Sequence, residues 1–163
     1  MNRVLFICIH NSARSQMAEA FLRLYGGGEF EAESAGMEPR PINPLVVEAM
    51  AEEGVDLSGK TSKSVFELFT KGRLFDYVVT VCSESVEESC PVFPGVTHRL
   101  HLPFPDPAGF TGSVDEKLAK VREVREAIKA RIQELIAWVR GGAAGRLGDS
   151  WQMASNPKTG SGG

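Results

Sequence analysis

The chain has 163 residues, 42% of them hydrophobic and 24% charged, with a formal net charge of −3. That length and balance suit one globular domain with a real core, and the slight acidity excludes a general nucleic-acid or membrane-surface binder, so any anion specificity must be local. The first apolar run stops at His10-Asn11-Ser12, too short for a membrane span or a signal-peptide core, so a cytoplasmic protein is expected, whose three cysteines would not form a static disulfide framework.

Residues 3–8, Arg3-Val4-Leu5-Phe6-Ile7-Cys8, predict a buried strand. After a short polar loop, residues 15–25 predict a helix with Met17, Phe21 and Leu24 on one face, stopped by Gly26-Gly27-Gly28. A second strand is expected from about Phe30 to Ser34. Pro39, Pro41 and Pro44 mark a stiff loop, and Asn43-Pro44 reads as the N-cap and first residue of a helix that Gly54 closes. Residues 62–71 predict a third helix carrying Val65, Phe66 and Phe69. Residues 75–81 predict an interior strand, and Val96 to Leu102 another. From Ser113 to about Arg140 the residues Leu118, Val121, Val124, Ile128, Ile132, Leu135 and Val139 fall on one helical stripe. Strands alternating with helices imply an α/β fold whose parallel sheet is covered on both faces. Residues 1–140 would form the domain. Residues 141–163, rich in Gly, Ser and small polar residues, predict a flexible tail, though Trp151 and Met153 are apolar enough to dock.

The loop after the first strand carries the chemistry. Backbone N–H groups of Ile9, His10, Asn11, Ser12, Ala13, Arg14 and Ser15, in a loop that feeds a helix N-terminus, suit a tetrahedral oxyanion. The same field favours a thiolate at Cys8. Arg14 offers a planar charged fork for two oxyanion oxygens, Ser12 and Ser15 can donate hydroxyl hydrogen bonds, and Asn11 can pin the loop through its amide. Further on, Asp106-Pro107 follows a predicted strand end in a stiff loop, where apolar Phe104 and Phe110 would favour the protonated acid. Cys82 and Cys90 lie eight residues apart. A helix between them would span about 12 Å, and a disulfide tolerates at most about 7 Å between Cα atoms. The pair would therefore close only if the segment unwinds, and its serines and the Glu87-Glu88 pair permit that. A zinc site with His98 and His101 fits no common spacing, so neither a metal nor another cofactor is expected.

The run Cys8-Ile9-His10-Asn11-Ser12-Ala13-Arg14-Ser15-Gln16-Met17-Ala18-Glu19 resembles the signature of the low-molecular-weight protein tyrosine phosphatase family, and more closely the thioredoxin-coupled arsenate reductases of that fold. Ser34-Ala35-Gly36 and Asn43-Pro44 match those reductases as well, and the likeness spans about residues 3–140. The resemblance implies a three-layer fold with a four-stranded parallel sheet flanked by helices. It also implies a relay: Cys8 attacks arsenate, Asp106 protonates the departing oxygen, Cys82 attacks Cys8 to release arsenite, and Cys90 attacks Cys82 to leave a disulfide for thioredoxin or a similar dithiol protein. His10 and Ala13 stand where Gly and Cys are usual. Some family members bind potassium; Asn11, Glu19 and Ser34 match ligand positions, but Lys63 replaces the acidic fourth, so no potassium dependence is expected and the Lys63 ammonium would take the ion's place. The alternatives are a phosphatase acting on phosphomonoesters through Cys8, Arg14 and Asp106, and a redox or oxyanion sensor. Only Cys82 and Cys90 separate reductase from phosphatase, while the stretch Pro39–Pro44 lacks an aromatic residue to grip a tyrosyl ring.

Overall fold

The structure, a computed structural model, describes residues 1–82 and 91–154. Strand β1 (Asn2–Cys8) leads through a loop into α1 (Arg14–Gly26), followed by β2 (Phe30–Gly36), α2 (Pro44–Ala51), α3 (Val65–Thr70), β3 (Tyr77–Cys82), β4 (His98–Phe104), α4 (Val114–Arg140) and β5 (Gln152–Ala154). Four strands run parallel in the order β2-β1-β3-β4, and β5 joins the β4 edge antiparallel. The expected four-stranded parallel sheet flanked by helices is present, with this one antiparallel addition. No helix among the described residues is long and apolar enough to cross a membrane.

Alternation along the strands splits the core in two. Val4 and Phe6 of β1, Val79 and Val81 of β3, and Leu100 and Leu102 of β4 face one cluster with Met17 and Phe21 of α1 and Val121, Ile128, Ile132 and Leu135 of α4. Leu5, Ile7 and Val78 face the other, with Val65 and Leu68 of α3. The whole stripe read from α4 is buried, as a period of 3.6 demands of a helix laid on a sheet. Glu52, at the C-cap of α2, accepts hydrogen bonds from Arg122 and Arg125 of α4, which hold its pKa down to about 2.

Two expectations change. The third helix starts at Val65 rather than at 62, because the Ser64 hydroxyl caps it by accepting from the N–H groups of Phe66 and Glu67. Residues 60–63 are thereby left outside the helix, as a strap beside the loop at residues 8–15. The expected tail also docks over residues 151–154. β5 pairs Leu100 with Met153, and Trp151 is 3% exposed with its Nε1–H donating to Glu134 Oε1 at 3.1 Å. An indole that fills an apolar site and finds a polar partner for its N–H outweighs the glycine-rich composition around it.

Candidate active site

β1 lies between β2 and β3, so the loop at its carboxyl end sits where the strand order reverses, the usual ligand crevice of an open α/β sheet. The backbone of this loop is held from outside. The carbonyls of Cys8, Ile9, His10 and Ser12 accept from the N–H groups of Met37, Glu38, Arg40 and Asn43, and the Asn11 carbonyl accepts from Ser62 Oγ at 3.0 Å. Within each planar trans peptide the N–H points opposite to the C=O. Binding five successive carbonyls outward therefore turns the N–H groups of residues 9–13 inward, toward the Cys8 sulfur. The Asn11 N–H confirms this by donating to Cys8 Sγ at 3.1 Å. No side chain caps α1, which leaves its first turn to an anion in the loop.

Asn11 is fully buried and takes the left-handed region, at φ 52°. Its amide Nδ2 donates to Ser15 Oγ at 2.8 Å, and its Oδ1 accepts from Gln16 Nε2 at 3.1 Å and from the Lys63 N–H at 2.9 Å. Ser15 Oγ lies 2.8 Å from Cys8 Sγ. That hydroxyl accepts from Asn11 and shares a hydrogen bond with the sulfur in which either atom can be the donor. The Asn11 N–H and the Ser15 hydroxyl thus both lie within hydrogen-bond distance of the Cys8 sulfur. Beneath them the backbone approach is so close that a Cβ on Gly36 would lie 2.7 Å from the Asn11 nitrogen and 2.8 Å from the Ile9 oxygen. Neither atom is a flexible side-chain end. Gly36→Ala is expected to lower stability by about 1–3 kcal/mol, read as a shift in the denaturant midpoint, and to weaken phosphate binding at the same time.

Arg14 is 2% exposed and is fixed by β4. Its Nη1 donates to the Phe104 carbonyl at 3.1 Å, and its Nη2 lies 3.5 Å from Asp106 Oδ2. Asp106 caps a short turn, Pro107–Gly109, by accepting from the Ala108 N–H at 3.0 Å through Oδ1. One carboxyl oxygen is committed to the loop and the other faces the guanidinium. The neighbour of this carboxyl is thus a cation, where the sequence led to expect phenyl rings. His10 turns aside: its Nδ1–H donates to the Glu38 carbonyl at 3.0 Å. Ala13 is buried in the main core, and Ser12 is half-buried.

Cys82 packs into the same core cluster as Cys8. Strands β3 and β4 pair regularly up to Thr80 with His101, and then the register slips so that Cys82 pairs with Phe104. The extra residue lies in β4, which advances from His101 to Phe104 while β3 advances from Thr80 to Cys82. Cys82 packs in the cluster that holds Cys8, Val81 and Phe104, and it is fully buried there. Cys90 and the segment expected to unwind, residues 83–90, lie outside the described residues. The two histidines weighed as metal ligands serve their own neighbours: His98 stacks on Tyr77, and His101 Nδ1 shares a hydrogen with Thr80 Oγ1 at 2.6 Å. Among the described residues no group of three or more His, Cys, Asp or Glu is arranged to hold a metal ion.

A family model for low molecular weight phosphotyrosine protein phosphatase matches residues 3–143. The chain belongs to that family. It is 42% identical over 131 residues to the arsenate reductase of Halalkalibacterium halodurans, covering 80% of this chain and 91% of that protein. Among solved structures it is similar to the thioredoxin-dependent arsenate reductase of Corynebacterium glutamicum, with a TM-score of 0.65 and 34% identity over 87% of this chain and 63% of the other. It is similar also to an arsenate reductase in the phosphate binding state, with a TM-score of 0.65 and 29% identity over 84% of this chain and 98% of the other.

The potassium site implied by the family resemblance does not fit this chain. Ser34 Oγ donates to Glu19 Oε1 at 2.7 Å, but the other carboxylate oxygen, Oε2, lies 2.6 Å from the ammonium of Lys60. A potassium ion at Glu19 would meet that charge and the guanidinium of Arg23, 3.2 Å from the same oxygen. Lys63, expected to replace the ion, instead reaches Glu33, 3.3 Å from its Nζ. Beside the loop a cavity of about 510 Å³ opens between Pro39, Arg40, Ile42, Leu57 and Ser62, with no aromatic side chain in its wall.

Proposed function

We propose that the chain reduces arsenate to arsenite by a cysteine relay. The observation that carries the reading is a second buried thiol, Cys82, packed in the same core cluster as Cys8. Hydrolysis of a phosphoester has no use for such a thiol; reduction requires one.

In the first step the Cys8 thiolate attacks arsenic in an arsenate held by the loop N–H groups and by Arg14. A thiolate–arsenic bond forms, an arsenic–oxygen bond breaks, and Asp106 gives its proton to the departing oxygen, which leaves as water. The Cys82 thiolate then attacks the Cys8 sulfur. The sulfur–sulfur bond forms as the sulfur–arsenic bond breaks, its electron pair stays on arsenic, and arsenic(V) leaves as arsenite. Cys90 attacks Cys82 and frees Cys8. A dithiol protein of the thioredoxin type reduces the Cys82–Cys90 disulfide by exchange, and a reducing cytoplasm supplies that partner. No metal or other cofactor enters these steps.

The same loop, with Arg14 and Asp106, favours slow phosphomonoester hydrolysis as a side activity, because phosphate and arsenate share shape and charge. Asp106→Asn keeps an oxygen to accept from the Ala108 N–H but has no proton to give. It is expected to slow both reactions by about 10²–10⁴-fold with an unchanged melting temperature. The deciding assay supplies arsenate, thioredoxin, thioredoxin reductase and NADPH, and follows NADPH oxidation. Turnover that persists undiminished in Cys90→Ser would rule out the relay as written.

A further inference from the structure

Glu19 is a carboxylate at 1% exposure, one turn and a half into α1 behind the oxyanion loop. A buried charge of that kind persists only with a partner. Two cations reach it. Arg23 Nε lies 3.2 Å from Oε2, but that side chain is 57% exposed and also donates to the Ala32 carbonyl. Lys60 Nζ is nearer, at 2.6 Å.

Lys60 also opens the strap of residues 60–63, and every other residue of the strap touches the loop or its support. The Thr61 carbonyl lies 3.5 Å from Gln16 Nε2, the Ser62 hydroxyl bonds to the carbonyls of Asn11 and Arg40, and the Lys63 N–H donates to Asn11 Oδ1. These contacts secure Asn11 in its left-handed conformation, an arrangement a non-glycine residue keeps only when its surroundings over-determine it. Asn11 in turn sends its N–H to Cys8 Sγ.

We propose that the Lys60 ammonium is a built-in monovalent cation for the oxyanion loop, a positioning residue that acts through Glu19 and the strap to hold Asn11, so that the loop binds tetrahedral oxyanions without potassium. The proposal rests on residues 8–15 being the oxyanion site and is independent of which reaction follows.

The test titrates inorganic phosphate calorimetrically into wild type, Lys60→Met and Lys60→Arg, in potassium chloride or choline chloride at equal ionic strength. Wild type is expected to bind equally in both salts, and Lys60→Arg to follow it. Lys60→Met should bind about tenfold more weakly in choline chloride, the scale of one lost charge-assisted hydrogen bond. Potassium should restore much of that loss and should raise the melting temperature of this variant alone. Should Lys60→Met not fold, Lys60→Gln, which keeps a donor without the charge, carries the same comparison. Potassium that tightens phosphate on wild type would overturn the proposal. So would a Lys60→Met protein that binds like wild type in choline chloride, or one whose defect potassium leaves untouched. A wild type that binds no phosphate would overturn the site itself. Normal phosphate behaviour without arsenate reduction would remove only the reductase reading.

Discussion

Cys8→Ser is expected to lower both thioredoxin-coupled arsenate reduction and p-nitrophenyl phosphate hydrolysis by about 10⁴-fold or more. A serine hydroxyl is a far weaker nucleophile at neutral pH, and among the described residues its hydrogen-bond neighbours, the Ser15 hydroxyl and the Asn11 N–H, include no base. The neighbour of the sulfur, Ser15 Oγ, is already engaged by Asn11 Nδ2. Phosphate affinity should change little, because it depends on groups the substitution leaves alone: the inward N–H groups, held by the segment at residues 37–43, and Arg14, held by Phe104. Calorimetry with phosphate beside the two assays separates these effects. Loss of binding together with turnover would mean that the loop depends on the sulfur for its shape; residual activity within tenfold of wild type would mean that Cys8 is not the nucleophile.

Cys82→Ser should divide the two reactions. Reduction needs a second thiol, so thioredoxin-coupled turnover should fall to background. Hydrolysis needs only water at the second step, so p-nitrophenyl phosphate turnover should stay within about threefold of wild type, the range of a conservative buried substitution away from the reacting atoms. The serine fits the same space, and Phe104, which pairs with Cys82 across the strands, keeps its carbonyl for Arg14. If both activities fell together, Cys82 would be supporting the loop structurally and the relay would lose its discriminating residue. If neither fell, the electrons would be coming from elsewhere.

Local pattern was legible in the sequence wherever local physics decides. The apolar run ending at Cys8, the polar loop and the helix behind it are as read, and the α4 stripe is buried throughout. What escaped the sequence depends on partners distant along the chain. The loop carbonyls are held by residues 37–43 and by Ser62, contacts that no periodicity announces. Of the two lysines it is Lys60, not Lys63, that reaches Glu19: the Ser64 cap starts the third helix at Val65, which leaves residues 62 and 63 outside it, with Lys63 turned to Glu33. Likewise the slip that pairs Cys82 with Phe104 is a property of two strands together, and no pattern within either strand announces it. β5 was hidden by composition: the glycines around it read as tail, while a single tryptophan supplies the burial that docks it.

The most direct test of the relay omits the reductant. Wild type, fully reduced and given a slight excess of arsenate, is quenched with an alkylating agent and mapped by mass spectrometry while arsenite is measured. The relay predicts one arsenite per chain, a disulfide joining Cys82 to Cys90, and an alkylated Cys8; in Cys90→Ser the disulfide should join Cys8 to Cys82. Three alkylated thiols and no arsenite would contradict it.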